Sequence, residues 1–332
     1  MMGALVRRLL RGVALMAGVA IFAFALPALA PGTGDPGERL DAGYSRAANA
    51  AKLARHHLDE PFASRLIRWT ASIARGDLGT SVEYETPVAR LLRARAGPTL
   101  LLGLVSTVVS WALAVPLGVW MAARAGRWFD RTVRTAVSTV MAVPEPALAL
   151  ALALFGARTG WVPAGGMRSP RLDPSAGIWQ VTIDVAWHMA VPVAVLVAGL
   201  LPMLLRHVRA SMLEVLESGY VTAARARGVP PARLLFRSAL RAAALPLVAL
   251  FGLSLANLLS ASLLVEVIVG WPGLGPLLVE ATRAKDVPVV AGVTLCSAAF
   301  LVIGGLVADL ALVWCDPRVR LAPAPGAERS AR

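Results

Sequence analysis

Hydrophobic and polar positions alternate in long blocks along this chain. Apolar runs cover 11–30, 99–123, 132–156, 186–206, 243–268 and 289–314. Each is near the roughly 20 residues that a helix needs to cross a bilayer, so the pattern predicts six transmembrane helices. Pro116, Pro144, Pro146, Pro192, Pro202 and Pro246 interrupt several of them. Membrane helices tolerate such prolines because neighbouring helices and side chains satisfy the freed carbonyls. The first run, "VALMAGVAIFAFALPALA", also has the outline of a signal peptide ending at Ala28-Leu29-Ala30. Its length and Pro31, just after the cut, favour an uncleaved anchor.

The polar blocks orient the spans. Arg7, Arg8 and Arg11 precede the first span, and Arg124, Arg127, Arg131 and Arg134 separate the second from the third. Between the fourth and fifth, residues 206–241 hold seven arginines against Glu214 and Glu217. With six spans all three blocks share one side, so both termini are expected in the cytoplasm. Residues 31–97, with ten basic and eight acidic residues, are too long for charge to set their side. Arg90, Arg93 and Arg95 in this segment contradict the rule locally, and an amphipathic helix lying in the interface would accommodate them. A second helix is expected over "PFASRLIRWTASIAR" (61–75).

"YVTAARARGVPPARLLFRSALRAAALP" (220–246) is the most distinctive basic block. Tyr220, Ala223, Ala224 and Arg227 fall on one helical face, and the alanines allow close approach of a partner. Gly228 is a natural left-handed stop. Pro230 and Pro231 suit the turn into a second helix, which Arg233 and Arg237 continue. Without further context, this is an interfacial loop whose arginines bind lipid phosphates.

Several motifs in order change that weighting. "YVTAARARG" resembles the EAA loop of ABC-importer permeases, with Thr222 in place of the glutamate and Leu245-Pro246 displaced downstream. "PGTGDPGERL" (31–40), "GDLGTS" (76–81), "PAGGM" (163–167), "SMLEVLESGYV" (211–221), "VEVIVGWPGLGPLL" (265–278), "KDVPVVAG" (285–292) and "DLALVWCDPRVR" (309–320) extend the likeness over nearly the whole chain. The chain is similar to the B-type permease subunit of the dipeptide, oligopeptide and nickel importers. That resemblance implies an all-α, six-helix type I importer fold with both termini inside. It implies a first helix over 1–30, an extracytoplasmic segment over 31–98 and a five-helix core over 99–320. The core contains a cytoplasmic coupling loop at 207–242, and 321–332 is a tail. Tyr220, Thr222, Ala223, Ala224, Arg225, Arg227, Gly228 and Arg233 would dock on an ATPase. Implied partners are a second permease, two ATPase subunits carrying ATP and Mg²⁺, an external solute-binding protein and membrane lipid. The expected cargo is a di- or oligopeptide, with nickel chelates and glutathione as alternatives.

Composition removes other classes. The chain is 57% hydrophobic and 16% charged, with mean hydropathy +0.66, against about 25% charged for soluble domains. Its +13 net charge is almost all arginine beside apolar spans, which argues for membrane anchoring and against nucleic acid. Lys52 and Lys285 are the two lysines, followed by Leu53 and Asp286. Neither completes the Gly-Lys-Ser/Thr of a P-loop, so ATP belongs to partners and no cofactor is expected here. Cys296 and Cys315 lie about 28 Å apart on a helix, beyond disulfide reach. His56 and His57 diverge and lack a third ligand, and His188 and His207 lie near opposite ends of one span. No metal site or catalytic pair emerges, so the chain is not expected to be an enzyme. A self-sufficient secondary transporter would show an inverted repeat, and none is visible.

Glu145, between Pro144 and Pro146 near mid-span, should face protein or water. It fits a polar lining of the solute path and a paired structural carboxylate equally well. Asn257, Glu266 and Asp309 are weaker candidates of the same kind. In "GWPGLG" (270–275), Trp271 suits the headgroup level, while Pro272, Gly273 and Gly275 force a non-helical path. That path is either a simple interfacial turn or a structured loop at the pathway mouth.

Overall fold

The computed structural model describes residues 2–29, 61–73, 75–170 and 172–315. Expectations for 31–60 and 321–332 lie outside the described residues. The described chain is helical apart from turns and an isolated bridge between Thr80 and Pro87. In chain order the helices are α1 (Met2–Leu29), α2 (Phe62–Ile73), α3 (Val88–Ala123), α4 (Trp128–Met141), α5 (Glu145–Thr159), α6 (Ile178–His188), α7 (Ala190–Leu216), α8 (Gly219–Ala226), α9 (Leu240–Ile268), α10 (Leu274–Arg283) and α11 (Val287–Cys315). A helical turn at Pro231–Arg233 and a π-helical turn at Leu234–Ala239 lead into α9. Bonding of the i→i+5 type stacks residues five apart, and Leu234 and Ala239 are both buried there.

Three of these helices contain an unbroken apolar span: Val88–Ala123, Ala190–Leu216 and Val287–Ala308. The first predicted span lies in the continuous helix α1, whose apolar part is Leu10–Ala25, while those at 132–156 and 243–268 follow the same stretches but are bent. The expected single helix at 132–156 is two helices, α4 and α5, meeting at 90°. Neither Pro144 nor Pro146 can donate to the ladder, and their rings clash with the preceding turn. They sit instead at the N-cap and second position of α5, where proline costs nothing. The second correction concerns Arg90, Arg93 and Arg95. They form no separate interfacial helix but the first turns of α3, whose 36 residues reach about 54 Å, more than a hydrocarbon core spans. Within the connection expected at 207–242, α7 continues as helix through Leu216, and α8 and the helical turns over 231–239 follow it.

The centre is α3 against α7, with α9 and α11 completing the bundle; α1 packs on the outside of α11. Lipid tails offer no hydrophobic drive between helices, so close packing of small residues must hold them. Gly103, Ser106, Thr107, Ser110, Ala114 and Gly118 are all buried along one face of α3. At Gly118 an added Cβ would stand 2.6 Å from Val208 Cγ1 and 3.4 Å from the Arg209 backbone nitrogen. At Gly252 it would overlap Ala308, which joins α9 to α11 in the same way. Trp111 Nε1 donates to Ser254 Oγ at 3.0 Å, tying α3 to α9.

At the end of the bundle away from α8, Asp286 caps α11. Its buried carboxylate accepts from Ser81 Oγ at 2.6 Å and from the Glu83 amide at 3.1 Å. This joins the "GDLGTS" turn to the start of the last helix.

Two outcomes follow. Gly118→Leu, with Val208 unable to retreat from the α7 backbone, should cost about 1–3 kcal/mol, read as a lower unfolding temperature in detergent. Asp286→Ala should cost a similar ~1–3 kcal/mol and open the 79–88 segment to limited proteolysis.

Candidate functional site

Helix α8 is short, and its position depends on its mounting. Ser218, before it, turns its hydroxyl back to the Val215 carbonyl at 2.6 Å. At the other end the Gly228 amide bonds to Arg225 O at 2.9 Å and the Val229 amide to Ala224 O at 3.3 Å. This is the Schellman pair that a left-handed residue makes, and Gly228 has φ +77°. Underneath, Val221, Ala224 and Leu234 are buried together with Val215, Leu216 and Val229 packed around them. Tyr220, Thr222, Ala223, Arg225, Arg227, Gly228 and Arg233 are exposed. Ala224 is a correction: it was expected on the outward face beside Ala223, but it forms the mount. The outward face is Tyr220, Ala223 and Arg227 with Thr222 at its edge, and side chains as small as Ala223 leave the backbone open to close approach.

At the 90° elbow, Glu145 occupies the first turn of α5, where the helix N-terminus favours a negative charge. Its half-buried carboxyl lies directly on Gly199 of α7, where any larger residue would collide with Oε1. Glu145 is therefore at a joint between two helices, not in the middle of one. Asn257 lies within α9, and its side chain is outside those described.

A third cluster forms where α9 turns by 81° into α10. Trp271 is fully buried within the protein, and its Nε1 donates to the Pro98 carbonyl of α3 at 3.1 Å. A buried indole keeps its N–H paired. Glu266 is also fully buried, and its Oε2 accepts from the Gly275 amide at 2.8 Å. Thr99 Oγ1 accepts from the Leu274 amide at 2.8 Å. Gly273 must be glycine because a Cβ would strike both Glu266 and Thr99, and Gly275 because one would strike the Leu263 carbonyl. Pro272 is half-buried on this turn. The turn is thus a structured loop pinned to α3, not a simple interfacial one. The "PAGGM" loop closes on it: the Gly166 amide donates to Val269 O at 3.0 Å, and Gly165 lies against the same carbonyl. Beyond that loop, hydrogen bonds from the Ser169 hydroxyl and amide hold the Asp184 carboxyl below the usual carboxylate range.

Sequence reasoning missed one charged pair. Asp130 of α4 is fully buried and accepts two hydrogen bonds from Arg209 of α7, at 2.7 and 2.9 Å, and one from the Gly126 amide at 2.9 Å. The bidentate geometry fixes the start of α4 on the last third of α7. Loss of Arg209 alone would leave the buried carboxylate with the Gly126 amide and the more distant Arg134, at a cost of about 1–3 kcal/mol. An aspartate between Arg127 and Arg131 was the only local signal, since its partner lies 79 residues away. Among the described residues no group of three or more His, Cys, Asp or Glu could hold a metal.

Comparison with known proteins agrees with these features. The profile of the family described as "Binding-protein-dependent transport system inner membrane component" matches residues 114–321. The chain is 33% identical over 318 residues to the oligopeptide transport system permease protein AppB of Bacillus subtilis, covering 95% of this chain and 98% of that one. It is 32% identical over 326 residues to OppB of Mycobacterium tuberculosis, another oligopeptide transport system permease, covering 96% and 98%. The probable D,D-dipeptide transport system permease protein DdpB of Escherichia coli is 32% identical over 323 residues, covering 92% and 94%. Among solved structures, a chain of the inward-facing MetNI methionine ABC transporter has a TM-score of 0.54 at 20% identity, covering 69% of this chain and 97% of that one. The chain belongs to the binding-protein-dependent transport system inner membrane components: it is a multi-pass permease subunit of an ABC importer.

Proposed function

We propose that this subunit forms half of the translocation path of a di- or oligopeptide importer and takes up the ATPase stroke through α8. Both termini then lie in the cytoplasm with α8, and the α9–α10 turn faces outward. The complement is a second homologous permease, two ATPase subunits holding ATP and Mg²⁺, and an external solute-binding protein. The cargo reading is supported by relatives whose names specify oligopeptides or dipeptides.

The observation that carries the coupling role is the mounting of α8. An eight-residue helix presents an exposed face of Tyr220, Ala223 and Arg227, while Val221 and Ala224 clamp it to the end of α7 and to Leu234 in the π-helical turn that leads into α9. Such a helix moves as one body with the two long helices it joins. With Thr222 where other importers carry glutamate, contact with an ATPase groove depends on shape and on Arg225, Arg227 and Arg233. On the other side of the bilayer, Glu266, Trp271, Pro272, Gly273 and Gly275 form a rigid outer stop against α3. Glu145 and Asn257 are assigned to the path between the two ends.

Gly228→Trp tests the coupling. A non-glycine residue at φ +77° carries strain of about 1–2 kcal/mol and adds bulk beside the docking face. In the reconstituted importer, peptide uptake should be lost and the ATPases should fall away in a mild-detergent pull-down, with the chain still in the membrane. Normal uptake and a normal complement of ATPases would contradict the role assigned to α8.

A further inference from the structure

Helix α4 is amphipathic in the wrong sense for a lipid-facing segment. Its apolar residues Phe129, Val133 and Val137 pack toward the core, while Arg131, Arg134, Thr135, Ser138 and Thr139 are exposed. Residues 131, 134, 135 and 138 share one helical face. Helix α4 runs alongside α7. It touches α7 at Arg209 through Asp130, and the elbow after it touches α7 at Gly199 through Glu145. Those two points are ten residues apart on α7, about 15 Å along the axis of a helix that contains an apolar span. A polar face descending that far into hydrocarbon would be costly, so it must line water or protein.

That face opens into a cavity of about 850 Å³ between α4 and α7, lined by Arg131, Arg134, Arg206 and Arg209 with Thr135 and Ser138. Asp130 balances Arg209, and Arg134 Nε stands 3.7 Å from the same carboxylate. Arg131 and Arg206 have no carboxylate partner among the described residues. The cavity therefore holds an excess of forked cation donors, flanked by hydroxyls, in a low-dielectric wall.

We propose that this cavity is an anion station on the cargo route, where Arg131, Arg134 and Arg206 receive the terminal carboxylate of the peptide on its way to the cytoplasm. The assignment rests on the peptide-importer reading above. Guanidinium forks match a carboxylate in two-point geometry, and Asp130 keeps Arg209 from collapsing into the opening. Lipid phosphate would use the same donors, and Met121, Val137, Met141 and Leu205 put apolar surface beside them. The peptide carboxylate is favoured because Thr135, Ser138 and Thr139 flank the guanidiniums on the open face, and the lipid alternative is an outcome of the test. In this arrangement Glu145, deeper on the same route, meets the cargo before the arginines do.

The test compares tri-alanine with a free C-terminus and tri-alanine amide, both radiolabelled, in the complete importer reconstituted with its own binding protein and ATPases. Arg206→Gln and Arg131→Gln should lower the free-acid to amide uptake ratio about tenfold, the loss of one charge-assisted bond. Arg206→Lys should restore most of it. Selection by the binding protein is common to wild type and variants, so it cancels in the comparison. An unchanged ratio, with both peptides carried, overturns the carboxylate station alone. Equal loss for both peptides that follows the phosphatidylglycerol content of the vesicles also overturns it, in favour of a lipid site. Failure of the wild type to carry either peptide, with active ATPases, overturns the peptide reading itself and the station with it.

Discussion

The close approach of α3 to α7 is the constraint on which the rest of the structure depends. In a bilayer, two helices gain little from burying apolar surface, so their association rests on backbones that can come near enough to pack. Gly118, Ala114 and the serines and threonines between Gly103 and Ser110 allow that approach. Once seated, α7 carries everything of interest along its length. Gly199 receives the Glu145 elbow, Arg209 holds Asp130, and the final turn hands over to α8. In the coupling proposed above, a displacement of α8 would reach the elbow, the charged pair and the α3 interface through the contacts that each makes with α7.

The two ends of the bundle are built on different principles. At the α8 end Tyr220 and small or basic side chains point outward, and the helix is fixed from behind by a small apolar cluster, the arrangement that the proposed docking role uses. At the other end, Trp271, Glu266, Thr99, Gly273 and Gly275 lock the α9–α10 turn onto α3 at Pro98 and Thr99. The Trp271 indole, the Leu274 and Gly275 amides and Glu266 Oε2 are paired within the chain there, while Glu266 Oε1 is buried without a partner.

Much of this was legible in the sequence where a local rule decides it. Gly228 stops its helix and Pro231 restarts the next because both act on their own backbone. The apolar stretches became helices because hydropathy over 20 residues is a strong signal. Features that depend on a distant neighbour were not legible. Ala223 and Ala224 are chemically identical, and only Leu234 and Val215, folded behind them, decide which one is buried. The hydrogen-bond partner of Trp271, the Pro98 carbonyl, lies 173 residues away. The 90° elbow was hidden because averaging hydropathy over 132–156 hides a Pro-Glu-Pro break. The Arg131 to Ser138 face was visible as spacing, but its meaning needed the location of α7.

Site-directed cross-linking tests the central claim most directly. A single cysteine would be placed at Ala223 or at Ala224 in a cysteine-free chain, within the assembled importer, and treated with a short thiol-to-amine reagent. The account predicts that Ala223→Cys links to the ATPase subunit while Ala224→Cys, turned toward Leu234, does not. Linking from Ala224→Cys, or from neither position in an importer that still transports, would contradict it.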